Sequence, residues 1–337
     1  MPVNAGLATL SDHMFTWSII LYSLALVAYC GEYAFGRRGK VASTSPEEVL
    51  VAAGAAPGRG APAVKSVSVP PKPPRVRTPQ AERFGRVAVA ATVLGLAVQL
   101  TSLTLRGIAT HRVPWGNMYE FASVVGAAAV IAYLVVLIRL PQVRYLGMFL
   151  LFPIVVLLFL AGTVLYAPAA PLVPALRSYW IAIHVTTISI GTGIFLVSFV
   201  ATVLYLVRRR WEIAVEAGRT PTRFPVTLGS RLPVTDVLDR MAYRTVAFGF
   251  PVYTFGIIAG AIWAEAAWGR YWGWDPKETW AFITWVVYAA YLHARATAGW
   301  RGTAAARVNI VAFATMIFNF FIINMVVSGL HSYAGLT

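Results

Sequence analysis

Long runs of apolar residues alternate with short polar segments along most of the chain. About eight of these runs are long enough to cross a membrane as helices, because about 20 apolar residues span a hydrocarbon core. They are residues 14–35, 84–105, 118–138, 145–165, 179–207, 244–264, 277–295 and 308–330. None of them requires a strand, so the pattern predicts an all-α, polytopic integral membrane helical bundle.

Composition and charge agree with this pattern. Hydrophobic residues make up 58% of the 337 residues and charged residues only 12%, a balance that soluble domains seldom show. The net charge of +15 comes from basic residues beside the predicted spans, where topology and anionic lipid headgroups explain it, so we expect no binding to nucleic acid. Cys30 is the only cysteine, and the chain alone therefore runs no two-thiol redox cycle.

The basic residues also predict the orientation, because short cytoplasmic segments retain Lys and Arg. With the N-terminus outside, most of the 28 basic residues fall on inner segments. The outer segments keep Arg106, Arg112, Arg177, Arg270 and Lys277. Both termini are therefore predicted to lie outside a cell membrane, and the first apolar run, which has no basic region before it and no cleavage site after it, is a retained span.

Three regions follow from this division. Residues 1–35 are the first transmembrane helix, and residues 84–337 carry the other seven spans. Residues 36–83 are basic and proline-rich, as in "VPPKPPRV", and lack periodicity, which predicts a flexible cytoplasmic linker. A later inner loop has apolar residues at helical spacing from Val234 to Met241, which predicts a short interfacial helix.

The segment "WGRYWGWDPKETW" at 268–280 begins in the predicted outer loop 265–276. Asp275 suits a helix N-cap, Pro276 suits the first helical position, and Glu278 completes a capping box. The seventh span is therefore predicted to begin at Pro276. This role accounts for both carboxylates, and neither is a candidate acid or base.

The tryptophans of this segment are more closely spaced than an aromatic belt at the lipid headgroups requires. Trp268, Trp272 and Trp274 alternate with Gly269 and Gly273, which permit close approach of the backbone. A flat aromatic ligand is the better interpretation.

This segment resembles the tryptophan-rich WWD signature of haem-handling membrane proteins, and the chain resembles the CcsA/ResC family of the system II cytochrome c biogenesis pathway. Two further stretches support the resemblance, "HRVPWGNMYEF" at 111–121 and "GLHSYA" at 329–334. The resemblance implies a haem-handling membrane domain at 84–337 with haem b as its transported ligand. The implied haem-packing residues are Trp268, Gly269, Trp272, Gly273, Trp274 and Asp275.

Two of the five histidines fall near the predicted outer site. His184 lies roughly 9 Å inside the outer end of the fifth span, and His331 follows the eighth span on the outer side. By position they resemble the two axial ligands of the family's external haem. The simpler alternatives are a hydrogen bond to a neighbouring helix for His184 and a solvated tail residue for His331.

His293 lies near the inner end of the seventh span, roughly 22 Å from Glu278, and therefore outside that site. It resembles the family's intramembrane haem ligand, and the alternative is a polar residue that reaches the interface beside Arg295. His13 and His111 are predicted outside, so a second inner ligand would come from another chain. The resemblance implies a ResB-type membrane subunit.

Four basic outer residues are suited to haem propionates, because carboxylates favour such partners. They are Arg112, Arg177, Arg270 and Lys277. Arg177 and Arg270 are equally suited to anchor the chain at the interface. Zinc is disfavoured, because it needs three or four converging ligands and no two histidines are close in sequence.

The resemblance implies a component of a cytochrome c haem lyase, or synthase, that delivers haem across the membrane. The thiols of an apocytochrome c CxxCH segment would add to the haem vinyl groups on the outer face, with a thioredoxin-like protein as reductant. Two alternatives stay open, a haem exporter without attachment activity and a b-type electron-transfer subunit. The second normally needs two histidine pairs, and only one histidine is predicted inside.

Overall fold

The computed structural model describes residues 2–36, 78–172, 176–297 and 299–331. Within these ranges it contains α-helices and no strand. In chain order the helices are α1 Ala5–Phe35, α2 Pro79–Thr110, α3 Met118–Arg139, α4 Gly147–Thr163, α5 Tyr179–Glu216, α6 Thr235–Trp268, α7 Pro276–Ala296 and α8 Thr303–Phe318. Short 3-10 turns occupy Pro141–Leu146 and Val226–Arg231, and a π-helical turn, Asn319–Ile323, continues α8. The predicted all-α fold is confirmed.

Seven helices in the described ranges are long and apolar enough to cross a membrane. The exception is α7, which was predicted as one of eight spans and has 21 residues. Its ends are polar, with Lys277 and Glu278 in the first turn and His293 and Arg295 in the last. It packs against both α6 and α8, so the polytopic bundle predicted from the sequence is confirmed.

Capping residues explain where several helices begin, and they move two predicted boundaries. The side chain of Thr78 accepts a hydrogen bond from the N–H of Ala81, and Pro79 occupies the first turn. Residues 79–83 are therefore the start of α2, although they were predicted as linker. The part of the predicted linker at 37–77 lies outside the described residues. At the other boundary, Asn4 caps α1, which begins well before residue 14.

The predicted interfacial helix is wrong as a separate element. Its residues form the first turns of α6, which continues without a break to Trp268. Leu238 and Met241 are buried in the bundle, so this apolar stripe faces protein instead of lipid headgroups. Because α6 is this long, the predicted outer loop 265–276 begins only at Gly269, where a positive φ of 70° ends the helix.

Buried charges fix the predicted outer end of the bundle. Arg106 of α2 is 1% exposed and donates to Glu120 of α3 at 2.8 Å and to Asp12 of α1 at 3.2 Å. Glu120 also receives the N–H of Gly116 at 2.7 Å. Since an unpaired buried charge is costly, this cluster holds the segment before α3 against the ends of three helices.

Candidate functional site

A cavity of about 110 Å³ lies at the predicted outer end of the bundle. Its walls come from segments far apart in the chain, namely the residues around the start of α3, the first turns of α5, the end of α6, the start of α7 and the residues after α8. The side chains that matter most here are those of Trp115, His184, Trp263, Lys277, Asn324 and His331. The fold therefore brings together the two outer histidines singled out in the sequence.

His184 lies in the second turn of α5 and faces α6. Its Nδ1 is 2.7 Å from the carbonyl oxygen of Gly256. Because a carbonyl only accepts, Nδ1 carries the proton and Nε2 is the basic nitrogen of the neutral ring. Gly260, one turn further along α6, leaves room for the imidazole, since a Cβ there would lie 2.6 Å from the ring. Two glycines of α6 thus set the position of His184.

His331 follows α8 and is held by the cap of α7. Its Nδ1 is 2.8 Å from Oδ2 of Asp275, and Oδ1 of Asp275 accepts the N–H of Leu330 at 2.7 Å. The predicted capping box of Asp275 and Glu278 is also present. One carboxylate therefore starts α7 and orients His331, and this second role was not predicted.

Burial favours a neutral imidazole in this pair, whereas the carboxylate beside it stays ionised. Burial lowers the pKa of His331 below its ordinary value, and the hydrogen bond to Asp275 offsets only part of that effect. Burial raises the pKa of Asp275, but the hydrogen bonds from His331 and from the N–H of Leu330 outweigh it and hold the pKa at about 2. Carboxylate–histidine pairs of this kind commonly orient metal ligands.

Two indole rings lie beside the imidazoles, and one of them contacts both. Trp263 of α6 is 1% exposed, and its ring stacks on His184 with a centroid distance of 6.1 Å and an interplanar angle of 11°. The same ring meets His331 edge-on at 5.7 Å. Trp268, the last residue of α6, lies 4.8 Å from Trp263 and 5.0 Å from His331. An aromatic wall therefore joins the two histidines.

The rest of the tryptophan segment lies elsewhere. Trp272 and Trp274 contact each other at 5.8 Å and both contact Phe282 on α7, outside the cavity. Trp274 is 66% exposed and has a positive φ of 57°. Gly269 ends α6, and Gly273 lies against the guanidinium of Arg270. Of the residues predicted to pack on one ligand, Trp268 and Asp275 reach His331 in this structure.

The structure also places the four predicted propionate partners in different surroundings. Arg112 is engaged by Glu120, with nitrogen–oxygen distances of 2.7 and 3.0 Å. Arg177 and Arg270 are exposed and away from the cavity lining. Lys277 lines the cavity, and its Nζ donates to the side-chain oxygen of Asn324. Of these four residues, Lys277 is the one that lines the cavity shared by His184 and His331.

His293 lies on an exposed face of α7, far along the helix from the cavity. Its Nε2 is 3.5 Å from the hydroxyl of Thr297, and the neighbouring Arg295 donates to Asp239 at 2.7 Å. His13 and His111 are exposed as well. The structure therefore keeps His293 apart from the outer pair, with a ring accessible to another molecule.

Three features of the cavity were missed in the sequence. The spacing of Gly256 and Gly260 is a small-xxx-small pattern, which is typical of close helix packing and was available as a signal. Trp115 lies within the stretch 111–121 that supports the resemblance but was not singled out, and Trp263 had no signal, because isolated tryptophans at span ends are equally typical of an aromatic belt.

Comparison with known proteins bears directly on this cavity. A family model described as "Cytochrome C assembly protein" matches residues 115–331. This range contains all of the cavity residues discussed above. The chain belongs to this cytochrome c assembly family.

Curated relatives in the family carry the name cytochrome c biogenesis protein CcsA. The protein of Guillardia theta is 42% identical over 175 residues, which cover 50% of this chain and 58% of the relative. The protein of Gloeobacter violaceus is 32% identical over 307 residues, covering 77% and 89%. That of Mesostigma viride is 33% identical over 252 residues, covering 70% and 82%.

These comparisons confirm the predicted CcsA/ResC family. They place this member of the cytochrome c assembly family in cytochrome c biogenesis, as a multi-pass protein of the plasma membrane. The chain spans little more than half of the Guillardia relative's length and most of the other two.

Proposed function

We propose that this protein carries haem b to the outer face of the membrane and presents it to apocytochrome c for covalent attachment. One observation carries the proposal: His184 and His331 line the same cavity, although His184 belongs to α5 and His331 follows α8. In each ring, Nδ1 is hydrogen-bonded to an oxygen acceptor. Two oriented neutral imidazoles are the ligand set that haem iron commonly takes in membrane proteins.

The tautomer of both rings supports this assignment. A ring that donates from Nδ1 presents Nε2 as the basic nitrogen, which is the form that binds a metal. The partner oxygens also restrict rotation of each ring, the Gly256 carbonyl for His184 and the Asp275 carboxylate for His331. Iron binding would therefore need little reorganisation of the imidazoles themselves.

The cavity must open before a porphyrin enters. Its volume of about 110 Å³ is smaller than the roughly 300–1,000 Å³ of most small-molecule sites. His331 lies after the last helix, and its hydrogen bond is to Asp275 at the start of α7. The segment that carries His331 is therefore the wall best placed to separate from α5. Trp272 and Trp274, which lie outside the closed cavity, would meet the macrocycle only in the opened form.

The contribution of the protein to the chemistry would be positioning. Each cysteine thiol of a CxxCH segment adds across one haem vinyl group, with sulfur bonding to one carbon and the hydrogen placed on the other, so no leaving group is formed. Fixing the iron between two histidines holds the vinyl edge at a constant place, which raises the effective concentration of the thiols. No acid or base from this chain is required.

Other chains would complete the pathway. His293 is exposed on α7, so an inner haem site there would take its second ligand from a ResB-type subunit. A thioredoxin-like protein would keep the substrate thiols reduced, since Cys30 is the only cysteine of this chain. Apocytochrome c is the substrate that cytochrome c biogenesis implies.

The experiment is co-expression of this protein with a ResB-type partner and a CxxCH reporter, followed by staining of covalent haem on denaturing gels. The wild type should yield haem-stained reporter, and His184→Gly and His331→Gly should reduce it strongly at equal membrane yield. His111→Gly is the matched control, because His111 is an exposed residue of the same predicted side. Full reporter staining with both variants would contradict the proposal.

A further inference from the structure

The cavity lining includes two hydrogen-bond donors, on different segments, that have no acidic partner within hydrogen-bond distance among the described residues. Trp115, in the segment before α3, lines the cavity, and its Nε1 is buried without a hydrogen-bond partner among the described residues. Lys277, in the first turn of α7, also lines the cavity. A buried donor without an acceptor is costly, so its presence beside a cavity indicates a missing ligand atom.

The ammonium of Lys277 has donors to spare. It can donate three hydrogen bonds, and within the described part of the chain it makes one, to the neutral oxygen of Asn324. The nearby carboxylates are committed elsewhere: Asp275 binds His331 and the N–H of Leu330, and Glu278 accepts the N–H groups of Gly273 and Asp275. The cavity therefore has a positive charge without a direct ionic partner in this region.

The loop that carries Trp115 is held firmly. Glu120 is fully buried and accepts from the N–H of Gly116 and from the guanidinium of Arg112. Asn117 caps α3 through the N–H of Glu120 at 2.9 Å. The residues on both sides of Trp115 are thus fixed, which holds the backbone of Trp115 beside the cavity.

We propose that Trp115 Nε1 and Lys277 Nζ form a carboxylate subsite that takes one propionate of the haem held by His184 and His331. The inference rests on the proposed function. Both groups only donate, which excludes a cation, and the charge of the ammonium favours an anion over a neutral acceptor. Arg112, engaged by Glu120, and the exposed Arg177 and Arg270 are excluded from this role by their positions.

The test compares haem with haem dimethyl ester, in which both propionates are esterified, by absorption titration of the purified full chain. Charged hydrogen bonds predict that the wild type binds haem roughly tenfold to a hundredfold more tightly than the ester. Trp115→Phe keeps an aromatic ring and removes only the N–H, and Lys277→Gln removes the charge while keeping a donor. Each variant should weaken haem binding, leave ester binding unchanged and so lower the ratio of the two affinities.

Trp300→Phe and Arg139→Gln are matched controls on exposed residues away from the cavity, and both should keep the wild-type ratio. Ester binding also reports that each variant is folded. The proposal is overturned if the wild type binds haem and the ester equally well, or if the two variants weaken the binding of both ligands equally. It is also overturned if Arg270→Gln lowers the ratio of the two affinities and Lys277→Gln does not. A wild type that binds neither ligand through His184 would overturn the proposed function as well, which distinguishes the two failures.

Discussion

Asp275→Asn tests how much the carboxylate beside His331 contributes to haem binding. Asn is also a good N-cap, so the start of α7 is kept. The substitution removes the charge, and because Oδ2 accepts both the cap N–H of Lys277 and Nδ1–H of His331, an amide oxygen that keeps the cap leaves His331 with a neutral, weaker acceptor. We expect weaker haem binding with little change in fold.

The pKa of Asp275 shows how strongly the folded protein favours its carboxylate form. The pKa falls from 3.8 to about 2, although burial acts to raise it. This shift corresponds to about 2 kcal/mol of stabilisation of the carboxylate relative to the carboxylic acid. This energy is present above pH 3.8 and is lost as the pH falls through about 2, so it is fully available at neutral pH. Removing a carboxylate that orients a metal-ligating histidine typically lowers metal affinity tenfold to a hundredfold, so we expect a loss of haem affinity in that range.

The assay is haem titration of the purified chain, followed by absorption. Glu278→Gln is the matched control, because Glu278 belongs to the same capping box and does not contact His331. It should change haem affinity by less than about threefold. Wild-type affinity in Asp275→Asn, or an equal loss in Glu278→Gln, would refute the assignment of Asp275 to His331.

Three further predictions concern the same cavity. Gly260→Ala should displace the His184 ring, since a Cβ would lie 2.6 Å from it, and so reduce haem content at unchanged membrane yield; unchanged haem content would contradict this contact. Haem affinity should persist as the pH falls through 6.5 and decline only below it, because burial lowers the pKa of His331; a titration midpoint above 6.5 would oppose this. His293→Gly should abolish haem delivery from inside while purified chain still binds added haem; loss of both would join His293 to the outer site.

The bundle was predictable because its signals are local. Apolar length located the helices, and Asp275, Pro276 and Glu278 fixed the start of α7 through capping chemistry that acts within one turn. The error at residues 234–241 has a tertiary cause. An amphipathic stripe has the same period whether it faces lipid headgroups or protein, and only the packing of Leu238 against the bundle decides between them.

The candidate site was predictable in its histidines and not in its walls. His184 and His331 could be assigned to one side of the membrane from the distribution of basic residues. Which tryptophans reach them depends on the length of α6, which carries Trp263 and Trp268 to the cavity and leaves Trp272 and Trp274 beside α7. The pairing of Asp275 with His331 joins residues far apart in the chain, and local sequence contains no signal for it.

The most direct test of iron ligation by His184 and His331 is the absorption spectrum of the purified chain, oxidised and reduced, beside His184→Gly and His331→Gly. Axial ligation by these two histidines predicts a b-type spectrum in the wild type with two imidazole ligands, its loss in each variant, and its return when imidazole fills the space left by the missing ring. A spectrum that is unchanged in both variants would contradict the central claim that these two histidines hold the haem iron.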